Sequence, residues 1–347
     1  MSRKRLDRSG VRVRRLLRRE TAWFADLTTR EIGKNYDDID ESFAENILQA
    51  HFLGVDPLGY FTLSKTIWVG EVAHKPFGFF VTTSKRGGSV KMGPHVTSPR
   101  FRGQGLGGEL RNRVIRGLAR QGTRKIYADG PVNRLDMITM DLRHGLQVEA
   151  QLREQYRRGI DEIVLGKMIR TPTATPVRAE GSSGTLRVGG VDIVEPRDDK
   201  AYRELLVRLA PRYYDGIDEG FARAILDSRD RFQESFRRKG RLPLLIKTER
   251  GRPAGVAVAV PKRGGAVKVA PLLLEPKVDR YSAAQALVTW ILEASRRARW
   301  RRVYTLVPLV QAQEISAFRE SGFQVEGVLR SPYKPGVDVV VAGRLFS

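Results

Sequence analysis

The spacing of apolar positions changes several times along the first half of the chain, and each change marks an element. Residues 11–16 alternate as a strand does, while 20–32 and 41–52 carry apolar side chains at helical spacing. Residues 67–72, 77–84 and 89–97 read as strands, the last two joined by the turn Lys85-Arg86-Gly87-Gly88. From Leu106 the period lengthens again. Leu106, Leu110, Val114 and Leu118, with Ile115, fall on one face of a helix that ends at Gln121-Gly122, and 125–128 returns as a strand. A strand, two helices, a run of strands, a helix, a strand, a helix and closing strands predict an α/β class with a mixed sheet flanked by helices.

The same plan is written twice. NYDDIDESFAENIL from Asn35 returns as YYDGIDEGFARAIL from Tyr213, and KPFGFFVTTSKRGGSVKMGP from Lys75 returns as RPAGVAVAVPKRGGAVKVAP from Arg252. From the KRGG turn onward the offset is constant at 177 (304 − 127 for Tyr304 and Tyr127), and it also relates Gly322 to Gly145, Glu326 to Glu149 and Arg330 to Arg153. Between the copies, TPTATPVRAEGSSGT has the Pro, Thr, Ser and Gly content of a solvated linker. The expected organisation is a basic tail over 1–10, a domain over 11–170, a linker over 171–185 and a second domain over 186–347. A solenoid would repeat at a far shorter period.

The segment Arg102-Gly103-Gln104-Gly105-Leu106-Gly107 follows a strand and opens a helix. Glycines there let the backbone approach an anion, and the helix start presents unpaired N–H groups at the positive end of its dipole. A pyrophosphate is the ligand this chemistry suits, with Arg102 as a permanent cation beside it. The segment has neither the spacing nor the following lysine of a Walker loop.

SPRFRGQGLGGEL, from Ser98, resembles the acetyl-CoA loop of the GNAT superfamily of N-acyltransferases, and the likeness runs along nearly all of each half through Asn133 and the Gly145-Leu146 pair. The resemblance implies two GNAT-like domains in tandem, with acetyl-CoA or another acyl-CoA as co-substrate. It implies a split between two central strands that admits the pantetheine arm, an acyl carbonyl held by backbone N–H at Val96 or Thr97, and direct transfer to an amine. Cofactor contacts are then expected from Val96, Thr97, Arg102, Gly103, Gln104, Gly105, Leu106, Gly107 and Asn133.

The duplication supplies a control. A residue kept in both copies answers to the fold; one kept in a single copy points to function. Arg102, Gly105, Gly107 and Asn133 become Asp279, Ser282, Ala284 and Val310, so the second copy is expected to have lost CoA binding. The acidic residues Asp37, Asp38, Asp40 and Glu41 recur as Asp215, Asp218 and Glu219, which favours helix capping over attraction of a cationic acceptor. Pro94 recurs as Pro271, as a strand bulge or bend would require, and Tyr156 recurs as Tyr333.

His95 becomes Leu272, which makes it the candidate base for stripping the amine's proton. Strict alternation puts it, with Lys91, Gly93 and Thr97, on the face opposite Val90, Met92 and Val96. The superfamily's usual acid is a tyrosine four residues before the glycine of the Gly145-Leu146 pair; here that position is Asp141, and Phe318 in the second copy. Asp141, protonated by burial, would be the replacement acid, with water as an alternative. A non-catalytic CoA-binding module is the reading left if neither works.

Composition changes this picture little. The chain has 347 residues, no cysteine and four histidines without metal-ligand spacing, so disulfides, thiolate chemistry and a metal are not expected. No apolar run is long enough to span a bilayer, and the basic start leads into no signal-like stretch, which predicts a cytoplasmic protein without a membrane partner. The net charge of +23 is carried mostly by arginines spread along the chain, with few aromatics between them. A small-molecule or protein amine is the expected acceptor, and tRNA or aminoacyl-tRNA bound through the basic surface is the alternative.

Overall fold

A computed structural model describes residues 10–36, 39–57, 59–170, 191–196, 199–232 and 240–346. The expected linker, Asp37, Asp38 and nearly all of the basic tail lie outside them. The chain forms two compact units, residues 1–148 with 163–171 and residues 149–162 with 172–347. The tip of one arm of the first copy, 149–162, thus groups with the second unit rather than with its own copy.

In the first unit the strands are β1 (Arg12–Arg15), β2 (Thr62–Val72), β3 (Lys75–Lys85), β4 (Ser89–Thr97) and β5 (Lys125–Pro131). β6 (Gln147–Arg157) and β7 (Ile160–Met168) form the arm, and the sheet order in this unit is β1-β2-β3-β4-β5-β7. The helices are α1 (Thr21–Ile32), α2 (Glu41–Leu53), α3 (Leu106–Arg120) and α4 (Leu135–Arg143). The fold is a mixed α/β sheet covered by helices. One face buries Leu106, Leu110, Val114 and Leu118 of α3 against Phe77, Phe80, Val90, Met92 and Ile126. The other buries Phe24 and Leu27 of α1 and Ile47 of α2 against Ile67, Val69, Phe79, Val81 and Val96.

β4 departs from strict alternation. It pairs antiparallel with β3 at Thr82↔Met92 and then at Phe80↔His95, so one residue of β3, Val81, faces two of β4, Gly93 and Pro94. The extra residue lies at Gly93-Pro94, and a bulge of this kind reverses which face the following side chains take. Val90 and Met92 lie with α3, whereas Val96 lies with α1 and α2. His95 consequently turns to the α3 face, the side of Met92, contrary to the alternation expected from sequence. The same shift recurs in the second unit between Ala257 and Ala259.

The second unit contains β8 (Val191–Val194), β9 (Leu242–Thr248), β10 (Pro253–Pro261), β11 (Ala266–Leu274), β12 (Arg302–Pro308), β13 (Gln324–Lys334) and β14 (Val337–Leu345). Its helices are α5 (Asp199–Leu209), α6 (Glu219–Leu226), α7 (Arg280–Ala298) and α8 (Ala312–Glu320), and its sheet order is β6-β13-β14-β12-β11-β10-β9-β8. Shifted by 177 residues, the bounds of β4, β5, α4, β6 and β7 coincide with those of β11, β12, α8, β13 and β14. Within this unit β6 meets β13 at Ala150↔Gly327, flanked by Arg153–Glu326 at 3.4 Å and Arg330–Glu149 at 3.2 Å. These contacts are reciprocal: Ala150 meets its own repeat counterpart, and Arg153 meets Glu326 as its counterpart Arg330 meets Glu149, the pattern of self-complementary pairing.

Among the described residues no helix is long and apolar enough to cross a membrane, and no group of three His, Asp or Glu could hold a metal ion.

Gly78 sets the close approach of β3 to β4: a Cβ there would lie 2.4 Å from the Val96 carbonyl oxygen and 3.0 Å from the Thr97 Cα. Both neighbours are backbone and cannot swing aside. Gly78→Ala is expected to destabilise the protein by about 1–3 kcal/mol, read as a lower urea midpoint; an unchanged midpoint would show that the strands part at no cost.

Candidate functional site

β4 and β5 run parallel and pair at Ser89↔Lys125, Val90↔Ile126 and Lys91↔Tyr127, after which no further pair forms although both strands continue. The unpaired stretch of β4 carries His95, Val96 and Thr97. Ser98 N–H donates to the Phe77 carbonyl at 2.8 Å, and the antiparallel alternation therefore turns Val96 N–H toward β3 and the backbone groups of His95 and Thr97 toward the gap. The opening between two central strands is where an extended ligand arm can reach backbone donors.

The chain leaves β4 through a tight turn at Pro99–Phe101 and enters α3 through the glycine loop. Gly103 and Gly105 take φ of +76° and +75°, a region that disfavours a side chain. Gly105 is the N-cap of α3 and offers no capping side chain, so the first N–H groups of the helix have none. Gly107 faces β4: a Cβ would lie 2.7 Å from Thr97 Oγ1 and 3.4 Å from His95 Cε1 and Nε2. Leu106 is fully buried beneath the loop. Gln104 Nε2 donates to the Arg100 carbonyl at 3.3 Å, and Asn133 stands exposed in the turn after β5.

The second unit treats the same place differently. Helix α7 begins at Arg280, the counterpart of Gly103, so a helical turn replaces the glycine loop. Its N-cap is Asp279, whose Oδ1 accepts from Ser282 N–H at 3.1 Å while Ser282 Oγ donates to Oδ2 at 2.8 Å. One helix start is left open; the other is closed by its own carboxylate.

Arg102 is held rather than free. Its Nε donates to the Thr97 carbonyl at 3.0 Å and its Nη2 to Glu31 Oε2 at 2.5 Å. Burial pushes the Glu31 carboxyl up, but hydrogen bonds from Arg102 and Lys34 outweigh it and hold the group down at about 2. The end of α1 is thereby tied to the loop. Arg134, after β5, is raised first by its bond to Asp136 and then by the attraction of Tyr36 and Glu31. Lys34 and Arg102 share Glu31, and Arg134 is paired with Asp136, so three cations against two carboxylates leave one positive charge beside the loop; in the second copy Glu31 becomes Leu209.

On the α3 face of the gap lies a buried polar cluster. The His95 ring packs against Phe80 with centroids 5.0 Å apart and planes inclined at 57°, and its Nε2 is buried without a hydrogen-bond partner. Burial, then the charges of Arg111 and His144, lower its pKa to about 3, so the imidazole is neutral at ordinary pH. Asp141, fully buried on α4, forms an ion pair with Arg111 of α3, which is also buried. Burial raises the Asp141 pKa, and Arg111 opposes the rise. The Arg111 guanidinium carbon lies 5.4 Å from the Phe80 ring centroid.

The structure thus brings His95 and Asp141 into one cluster and the glycine loop to its edge, with Val96 packed away on the α1 and α2 face. Arg111, Glu31 and Arg134 were missed from sequence. Arg111 carried a usable signal, because it falls four residues after Gly107 on the inward side of α3 and becomes Val288 in the second copy. Glu31 lies 71 residues from Arg102, and only the fold shows their meeting.

No protein-family model matches the chain, and no curated protein matches it. Among solved structures, yncA from Salmonella typhimurium with its cofactor acetyl-CoA is similar at 18% identity, over 48% of this chain and 97% of that one, with a TM-score of 0.40. Spermidine N-acetyltransferase from Vibrio cholerae, in complex with CoA and spermine, is similar at 17% identity over 46% and 96%, with a TM-score of 0.39. The ribosomal-protein-S18-alanine N-acetyltransferase from Escherichia coli is similar at 15% identity over 47% and 96%, with a TM-score of 0.37.

The depressed His95 pKa has a consequence for stability. Between its ordinary value of 6.5 and about 3, the unfolded chain takes up a proton at His95 that the folded chain does not. Stability contributed by the neutral ring is full above that window and falls with acid through it, by about 1.4 kcal/mol per pH unit. His95→Leu, the residue of the second copy, is expected to flatten the fall of the urea midpoint from about pH 6 to about pH 4; an unaltered slope would show that His95 is charged in the folded state.

Proposed function

We propose that the first copy is an acyl-CoA-dependent N-acyltransferase and that the second is a degenerate copy of the same fold which no longer binds CoA. The chain is then two such domains in tandem, 11–170 and 186–347. The observation that carries this reading is the contrast between the helix starts, Gly105 open in α3 and Asp279 self-capped in α7. A carboxylate at that place repels phosphate and occupies the N–H group it would use; a glycine leaves both available.

The residues present fit a pyrophosphate. Gly103 and Gly105 supply the left-handed backbone, α3 its uncapped N–H groups, and Arg102, Lys34 and Arg134 the counter-charge. Gln104, Leu106 and Gly107 complete the loop, Thr97 offers backbone N–H toward the gap, and Asn133 stands at the turn after β5. The bound acyl-CoA supplies an activated thioester. His95, neutral and unpartnered at Nε2, accepts the proton that the attacking amine releases, and Asp141 is the counter-ion of the same cluster. An amine, on a small molecule or a protein, is the acceptor class.

Calorimetric titration with acetyl-CoA tests the assignment of the working copy. Gly105→Glu is expected to weaken binding by about a hundredfold or more, and Ser282→Glu to leave it within about threefold. Equal effects at the two sites would remove the assignment. With a panel of labelled acceptors, His95→Ala is expected to lower kcat by about tenfold or more while acetyl-CoA affinity is retained, and wild type is expected to show no His95-dependent limb between about pH 5 and about pH 8. Full activity in His95→Ala would end its role as proton acceptor.

A further inference from the structure

Two charged side chains buried against each other do not stabilise a fold better than hydrocarbon of the same volume. The second unit makes that comparison directly. The counterparts of His95, Arg111 and Asp141 are Leu272, Val288 and Phe318, all three members of its hydrophobic core. The fold therefore closes over this place without charge, and the pair in the first unit needs another reason.

Its position supplies one. Arg111 is four residues after Gly107, on the side of α3 that faces His95, and His95 belongs to the stretch of β4 that β5 no longer accompanies. Arg111 lies over Phe80, the cross-strand partner of His95. Its Nε is buried without a hydrogen-bond partner. A guanidinium keeps its proton under any ordinary condition and offers its N–H groups as fixed donors. Asp141 is in direct contact with that cation and is its counter-ion. The other charged or titratable groups around the pair are His144 at the C-cap of α4, whose Nδ1 lies 2.6 Å from the Met140 carbonyl, and Asp129 on β5, paired with Lys91 of β4 at 2.7 Å.

We propose that Arg111 is the cation against which the CoA sulphur leaves as a thiolate, and that Asp141 is a positioning residue acting only through Arg111. The inference rests on the acyl-CoA reading above. As the amine nitrogen bonds to the thioester carbonyl carbon, the carbon–sulphur bond breaks and its electron pair stays on sulphur, beside Arg111. The proton lost by nitrogen passes to His95 Nε2 and on to water. No acid has to protonate the sulphur, which accounts for the absence of a phenol at position 141.

The test reads the ionisation of the thiol without turnover. Free CoA and S-methyl-CoA, which cannot ionise at sulphur, are titrated calorimetrically from about pH 6 to about pH 9. In wild type the affinity for CoA is expected to rise with pH by about tenfold relative to S-methyl-CoA. In Arg111→Val/Asp141→Phe, which installs the residues of the second copy, the two ligands are expected to stay parallel, with S-methyl-CoA bound within about threefold of wild type. Arg111→Gln/Asp141→Asn, which keeps the shape and removes the charges, gives the same reading if the first variant fails to fold. A thiol-specific rise that survives in the folded variants, or is missing from wild type, overturns the role of Arg111. Wild type that binds neither ligand removes the acyl-CoA reading itself, and the inference with it.

Discussion

The parting of β4 from β5 after Lys91 is the constraint on which the first unit turns. A parallel strand that keeps its partner spends its backbone groups on the ladder; one that leaves it must either find another partner or present those groups to a ligand. β3 continues to hold β4 on its other edge, so the strand is rigid while one side is open. The bulge at Gly93-Pro94 adds one residue at the opening, and that residue decides which side chains line it. Val96 is sent to the core with α1 and α2, and His95 is brought over Phe80 beside α3.

Helix α3 completes the arrangement by coming unusually near. Gly107 permits contact with Thr97 and His95, Gly105 leaves the helix start uncapped, and Arg102 reaches back across the loop to Glu31. These are one device seen from three sides. Bare backbone lets the helix approach, the approach points its N–H groups at the opening, and the salt bridge fixes the loop that connects them. α7 lacks all three, and its Asp279 satisfies the helix from within.

The periodicity of residues 106–118, the glycine loop and the duplication were readable because each is local or is repeated in the chain itself. The helix predicted there is α3, and the strand predicted from Ser89 to Thr97 is β4. What sequence misplaced was the face of Val96 relative to Met92, since a period-two reading cannot see one inserted residue. What it missed altogether was tertiary: Arg111 meeting Asp141 across 30 residues and Arg102 meeting Glu31 across 71. Burial of opposite charges leaves no periodic trace, and the contrast with Val288 and Phe318 was the one clue available.

The arm formed by β6 and β7 carries a different implication. Residues 149–162 find their strand partner in β13, through Ala150 and Gly327 and the reciprocal Arg153–Glu326 and Arg330–Glu149 pairs. A chain ending at residue 170 would keep β6 and lose β13, exposing an unmatched strand edge that carries the buried Glu149 and the half-buried Arg153. The second copy, whatever else it does, supplies the strand that matches this edge.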